Sequence, residues 1–182
     1  MLQSQLRLKF FLPAIVFIVL AGLMWRGLYL DTTELPSVLI NKPLPEFELE
    51  NVYDNQLVGK PGLPEGPFLL NVWGSYCLPC LVEHPTFMRL SESDVIPIVG
   101  INYKDQQDAA LDWLETNGDP FDFSIMDPLG RLGIDLGVYG APETFLIDQN
   151  GLIRYRHVSV LDEQAWQEIF VPALEELERE GS

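Results

Sequence analysis

The chain has 182 residues, 47% of them hydrophobic, and 27 acidic residues against 11 basic ones give it a formal net charge of −16. That apolar share supports a real core and argues against disorder, while the acidity argues against nucleic acid and anionic lipid as partners of the surface. All the acidic residues lie from Asp31 onward, with only 8 of the basic ones, so the segment before Asp31 is a different kind of sequence.

Phe10 to Trp25 is an uninterrupted apolar run of 16 residues; Arg26 interrupts it and Leu28, Tyr29 and Leu30 extend it. About twenty residues with a snorkelling arginine are expected to cross a bilayer. Arg7 and Lys9 precede the run, while Asp31 and Glu34 follow it, which predicts a cytoplasmic N-terminus and an outer domain. A cleaved signal peptide is the competitor, but no small-x-small cleavage site stands near Gly22 to Tyr29. The expected organisation is therefore a cytoplasmic terminus (1–9), a single-pass anchor (10–30), a tether (31–45) rich in proline, and one domain (46–182).

Within the domain, Phe47–Asn51 and Gln56–Val58 predict two short strands joined by a turn at Asp54-Asn55. Phe68–Trp73 is apolar on both faces, with Asn71 its one polar residue, and predicts a central strand. Gly74-Ser75-Tyr76 then leads to Cys77-Leu78-Pro79-Cys80, which contains the only two cysteines in the chain. A helical run to Leu90 follows, with Pro85 expected to kink it. Strand, turn and helix in that order place Cys77 near a helix N-terminus, where free N–H groups and the helix dipole favour a thiolate. Cys80, one turn further in, is positioned to attack a mixed disulfide formed at Cys77.

Zinc and a purely structural disulfide are the competing uses of Cys-x-x-Cys. Zinc needs about four ligands, and only His84 and His157 add nitrogen. Leu81 stands where covalent haem attachment needs histidine.

Val95–Asn102 predicts a second buried strand in which Pro97 marks a bulge or an early edge position. Asp105–Asn117 predicts a helix with Asp105 and Asp108 suited to its dipole, ended by Gly118-Asp119-Pro120. A strand at Phe121–Met126 and a short helix at Leu129–Leu136 come next. Thr144–Asp148 and Leu152–Val158 predict a hairpin around Gln149-Asn150-Gly151. Asp162–Glu180 has helical spacing, with Pro172 expected to kink or break it. Together these elements describe an α/β sandwich with helices on both faces of a sheet.

The segment Trp73 to Cys80 resembles the active-site segment of the thioredoxin superfamily. Gly137-Val138-Tyr139-Gly140-Ala141-Pro142-Glu143-Thr144-Phe145 resembles its cis-proline segment. More narrowly, Asn102-Tyr103-Lys104-Asp105, the Gly130 to Asp148 run and Arg154-Tyr155-Arg156-His157 look like the membrane-anchored thiol:disulfide interchange proteins of cytochrome c maturation, the CcmG or DsbE family. The likeness covers about residues 35–180, with one departure: Tyr76 stands where many members have tryptophan.

The resemblance implies a thioredoxin-like sandwich with a central mixed sheet, an N-terminal strand addition and a single N-terminal transmembrane helix. It implies Cys77 as nucleophile, Cys80 as resolving thiol, and Pro142 in a cis bond against the pair. Tyr139 is expected beside a substrate groove, and Trp73 packed under the cysteines. Glu83 and Glu143 are implied to be acidic neighbours that oppose thiolate formation. The ordinary alternatives are an exposed glutamate in a first helical turn and one at a solvated strand start. His84 is expected at the surface and His157 in a structural role.

The implied function is that of a dithiol reductant in the periplasm, held at the bacterial inner membrane. Its implied targets are apocytochrome c or a maturation partner with a disulfide, and an integral-membrane thiol reductant is the implied electron donor. No cofactor beyond the redox-active disulfide is implied, and no metal. A general periplasmic reductase is the alternative, and a copper-delivery protein a lesser one, since such carriers usually space their cysteines by three residues.

Overall fold

The computed structural model describes residues 2–28 and 39–181, in two units that are taken separately. The first is a helix, α1 (Leu2–Leu28), with Pro13 inside it. Among the described residues no helix is long and apolar enough to cross a membrane. Part of the anchor expected over 10–30, residues 29 and 30 among it, lies outside the described residues.

The second unit is built on a five-stranded mixed sheet. Its strands are β3 (Phe68–Trp73), β4 (Ile98–Tyr103), β5 (Phe123–Asp127), β6 (Glu143–Ile147) and β7 (Ile153–Val158), in the spatial order β5-β4-β3-β6-β7. β3, β4 and β5 are parallel, and β6 and β7 return antiparallel. The mainly apolar strands behave as fully buried strands should: every residue of β3, β4 and β6 is buried, the polar Asn71, Asn102, Glu143 and Thr144 included. Before them, β1 (Glu48–Glu50) and β2 (Leu57–Gly59) form a separate hairpin that touches β5 through an Asn51–Ile125 bridge. This is the expected strand addition.

Alternation along the strands divides the core. Phe68, Leu70, Val72, Phe145 and Ile147 face Leu132 and Leu136 of a short helix, α4 (Arg131–Asp135 with Leu136 at its cap), together with Leu39, Ile40 and Leu44. Leu69 and Leu146 face Phe87 and Leu90 of α2 (Leu78–Glu92) and Trp166, Phe170 and Leu177 near the C-terminus. Trp73 and Met126 meet Ala110 and Leu114 of α3 (Gln107–Asn117). Helices therefore cover both faces, as expected, but unequally.

Several boundaries differ from expectation for physical reasons. Residues 41–44, read as tether, add to the edge beside β7: Asn41 N donates to Ile153 O (2.7 Å), and Leu44 N to Gly151 O (2.9 Å). Pro97 lies just before β4, where a missing N–H costs nothing, so the strand starts at Ile98. α2 runs through Pro85 without a break. Pro172 is accommodated by a wide turn at Trp166–Phe170, where Val171 N donates five residues back to Trp166 O. That turn joins α5 (Glu163–Ala165) to α6 (Val171–Gly181).

Gly100 allows the sheet to close under the cysteine segment. Trp73 Nε1 donates to Ser124 Oγ across it (2.9 Å). A Cβ at residue 100 would stand 2.5 Å from that oxygen and 2.7 Å from Nε1. Gly100→Ala is therefore expected to destabilise the fold by about 1–3 kcal/mol through overpacking. Urea denaturation measures this, and an unchanged midpoint would contradict it.

Candidate active site

β3 ends at Trp73, and a short turn, closed by Cys77 N donating to Gly74 O (3.0 Å), delivers Cys77 to the start of α2. Cys77 is the N-cap: its backbone is extended, and its Sγ accepts from Cys80 N at 3.1 Å. Leu78 and Pro79 fill the first helical turn, where proline's missing donor is harmless. Cys77 and Cys80 are joined as a disulfide. Cys77 is 6% exposed and Cys80 2%, so the expected accessible sulfur is the more accessible of two nearly covered ones. Tyr76, Leu78, Leu81 and Val82 form an exposed apolar rim around them.

The turn before Cys77 is held by a residue whose role the sequence reading missed. By spacing alone Asp105 is a helix-dipole partner. Instead its carboxylate accepts from Ser75 N (2.6 Å), Ser75 Oγ (2.9 Å), Gln106 N (2.8 Å) and Asn102 Nδ2 (3.1 Å). Tyr76 adds a tie that tryptophan could not make in this form, since its hydroxyl donates to Tyr103 O at 2.8 Å. Partial burial, then the nearby Asp105 and Tyr103, push that hydroxyl's pKa up. The signal available in the sequence was an aspartate just beyond a central strand end, where such loops meet.

Strand register brings the second segment in. Val72 faces Glu143 in the antiparallel β3–β6 pair, so residue 142 falls at the level of Trp73, beside the cysteine turn. The Ala141–Pro142 bond is cis, as the resemblance implied. Ala141 packs against the cluster that contains both cysteines. Trp73 lies in the same cluster, stacked on Phe121 and tilted against Trp113.

The two glutamates are not solvated. Glu83 is 1% exposed, on the inner side of α2. Its carboxylate accepts from Asn71 Nδ2 (2.9 Å) and from Leu161 N (2.9 Å). Burial pushes its pKa up to about 7, against the pull of these two hydrogen bonds. Glu143 is fully buried and accepts from Tyr139 N (2.8 Å), Gly140 N (3.5 Å) and Arg156 Nε (2.8 Å). Arg156 belongs to a stretch that carries the family resemblance, but the sequence gives it no role at the site. A hairpin folded at 149–151 does place β7 beside β6, and an arginine two positions along from the partner of an acidic strand start, on the same face, is a readable cue.

Tyr139 is largely exposed, its ring against the Arg156 guanidinium at 4.8 Å. His84, expected at the surface, is buried. Its Nε2 faces Asn117 O at 3.1 Å, its ring meets the edge of Trp113, and burial pushes its pKa down. His157 has the structural setting expected of it, with Nε2 facing Val160 O (3.1 Å) and its ring edge-on to Phe170. Among the described residues no three metal-ligating side chains gather.

The arrangement can form, hold and open one disulfide at a helix N-terminus, beside an apolar rim and a proline loop. Comparison with known proteins agrees with that chemistry. The Redoxin family matches residues 39–169. The chain is 48% identical over 167 residues to the thiol:disulfide interchange protein DsbE of Pseudomonas aeruginosa, covering 91% of this chain and 92% of that one. It is 44% identical to the protein of the same name from Escherichia coli K12, covering 94% and 96%. Among solved structures, a DsbF homologue from Corynebacterium diphtheriae shares the fold, with a TM-score of 0.65 at 23% identity over 82% of this chain and 95% of that one.

Glu83 makes stability depend on pH. Its folded pKa (about 7) lies above its ordinary value of 4.5, so the folded state holds the proton more tightly. The associated stability is complete below the ordinary value and is lost as pH rises through about 7. The expected loss, taken as the difference between wild type and Glu83→Gln, is up to about 3 kcal/mol between acid and neutral pH. Urea unfolding of both oxidised proteins at several pH values measures it. Parallel pH profiles would contradict the assignment.

Proposed function

Because the chain belongs to the Redoxin family and to the DsbE thiol:disulfide interchange proteins, it is a thiol-disulfide oxidoreductase, and we propose that its Cys77–Cys80 pair works as a dithiol reductant of protein disulfides. The observation that carries Cys77 as the nucleophile is its place at the N-cap of α2, its sulfur accepting from Cys80 N; the reducing direction is carried by Glu83, a buried carboxyl with only neutral donors one turn after Cys80. The Cys80 N–H group and the helix dipole would stabilise a thiolate at Cys77.

In the reduced enzyme, the Cys77 thiolate attacks one sulfur of a partner disulfide. The partner's second sulfur leaves as a thiolate and takes a proton. Cys80 then loses its proton and attacks Cys77 Sγ. The Cys77–Cys80 disulfide forms, the partner's first thiol is released, and two electrons have passed to the partner. Glu83, three residues after Cys80 on one helix, is the acidic neighbour of the resolving thiol. A carboxylate there disfavours a second negative charge, so it makes the reduced form less stable and the pair more reducing. Trp73 floors the site, while Pro142 and Tyr139 belong to the surface that receives the partner.

In this reading the partner is a disulfide of apocytochrome c, in its Cys-x-x-Cys-His haem-attachment segment, or of a thiol protein of the same maturation route. The domain stands in the periplasm, held at the bacterial inner membrane by the N-terminal segment. The basic residues before its apolar run support that orientation. An integral-membrane thiol reductant restores the dithiol, since an oxidising compartment supplies no reducing pool.

A trapping experiment tests the whole proposal. Reduced Cys80→Ser should form a stable mixed disulfide through Cys77 with a disulfide-bonded Cys-x-x-Cys-His peptide. Cys77→Ser should form none and should lose at least about a thousandfold in turnover. In cells the trapped complexes should stay in the inner-membrane fraction and contain apocytochrome c or a thiol protein of its maturation. Trapping through Cys80 would reverse the roles. Soluble complexes with unrelated proteins would favour a general reductase.

A further inference from the structure

The loop from Gly137 to Pro142 is tied down by one buried ion pair. Glu143 and Arg156 lie on the same face of the sheet, two residue pairs apart along β6 and β7. Their side chains are 0% and 5% exposed, and Arg156 Nη2 stands 2.7 Å from Glu143 Oε2. The guanidinium is used on several sides. Nε donates to Glu143 Oε2 (2.8 Å), Nη2 donates to Gly137 O (2.7 Å), and the Tyr139 and Phe145 rings lie 4.8 and 5.6 Å from its centre. The other carboxylate oxygen, Oε1, accepts from Tyr139 N and Gly140 N.

These contacts leave Glu143 little freedom to act on sulfur. Its charge is balanced by an adjacent guanidinium, and both oxygens hold donors. An ion pair of this kind has almost no net field at a distance, whereas its bonds to residues 137, 139 and 140 are local and directional. A buried pair is also a poor device for stability alone, because desolvation offsets most of its attraction. What it gives here is a shape. The guanidinium holds the start of the loop and the carboxylate holds its middle, so that Tyr139 stands out and Ala141 lies against the cysteine cluster.

We propose that Arg156 is a positioning residue for partner binding, which acts through Glu143 to hold the 137–142 loop ready for an extended polypeptide beside Cys77. The pair thus serves recognition of the partner chain and leaves the reactivity of the sulfurs alone. Arginine is required in place of lysine because the task needs a planar fork that donates to Glu143 and to the Gly137 carbonyl at once while its face meets the Tyr139 ring. The inference rests on the reading of this loop as part of the partner surface. It does not depend on which protein the partner is.

The test uses the full chain with Arg156→Lys, which keeps the charge, and Arg156→Gln. Amide hydrogen exchange at Tyr139 and Gly140 should quicken at least about tenfold as their acceptor is released. KM for a disulfide-bonded Cys-x-x-Cys peptide should rise about tenfold with kcat little changed, the loss expected when a preorganised surface loosens. The reduction potential, and the rate with the small disulfide 5,5′-dithiobis(2-nitrobenzoate), should stay at wild-type values. An equal loss with the small disulfide, a shifted potential, or an unchanged peptide KM would overturn the proposal. If wild type itself reduces the small disulfide but not the peptide, the reading of a polypeptide reductant fails. Amide exchange then decides the loop claim by itself: quickened exchange supports it and unchanged exchange overturns it.

Discussion

The site depends on one strand pairing. β3 and β6 run antiparallel with Val72 against Glu143. Their side chains alternate, so a slip of one residue would turn every core position to the wrong face. Leu69 and Leu146 would leave one core, and Leu70 and Phe145 the other. The register is therefore held by burial along the whole strand. Its consequence at the strand ends is chemical: Pro142 is brought level with Trp73, and two segments more than sixty residues apart in the sequence meet at the cysteines.

The second organising feature is where charge has been allowed inside. An acidic protein keeps nearly all its carboxylates in water, yet Glu83, Asp127, Glu143 and Asp148 are buried. Each is satisfied differently. Asp127 accepts from Arg131 N and Gly133 N at the start of α4. Asp148 shapes the β6–β7 turn and pairs with Arg154. Glu143 is neutralised by Arg156. Glu83 alone of the two site glutamates has only neutral donors, from Asn71 and Leu161. Its burial is therefore left uncompensated by charge, and its proton affinity rises accordingly. The two glutamates that the sequence offers as acidic neighbours of the cysteines thus differ in physical kind.

Much of this was legible from the residues. The apolar run Phe68–Trp73 is β3 without a shift, because a strand buried on both faces has no alternation to misread. The Cys-x-x-Cys spacing after such a strand places the N-cap, and the family motif carries Pro142. What the sequence could not display is the environment of polar side chains. Glu83 reads as a favourable residue for a first helical turn, and only packing against Leu161, 78 residues away, shows that it faces inward. His84 is adjacent and meets Trp113 and Asn117 for the same reason. Asp105 reads as a helix-dipole partner until the β4 end is set beside the Ser75 turn. Local spacing reports secondary structure, whereas burial of a charge is decided by contacts distant in sequence.

The central claim is that the Cys77–Cys80 pair gives electrons away. Its reduction potential, measured in the full chain by equilibration with glutathione or a lower-potential dithiol, tests that most directly. The account predicts a value toward the thioredoxin end, ~−200 mV or lower. A value near ~−120 mV, the range of a strong oxidant, would contradict it.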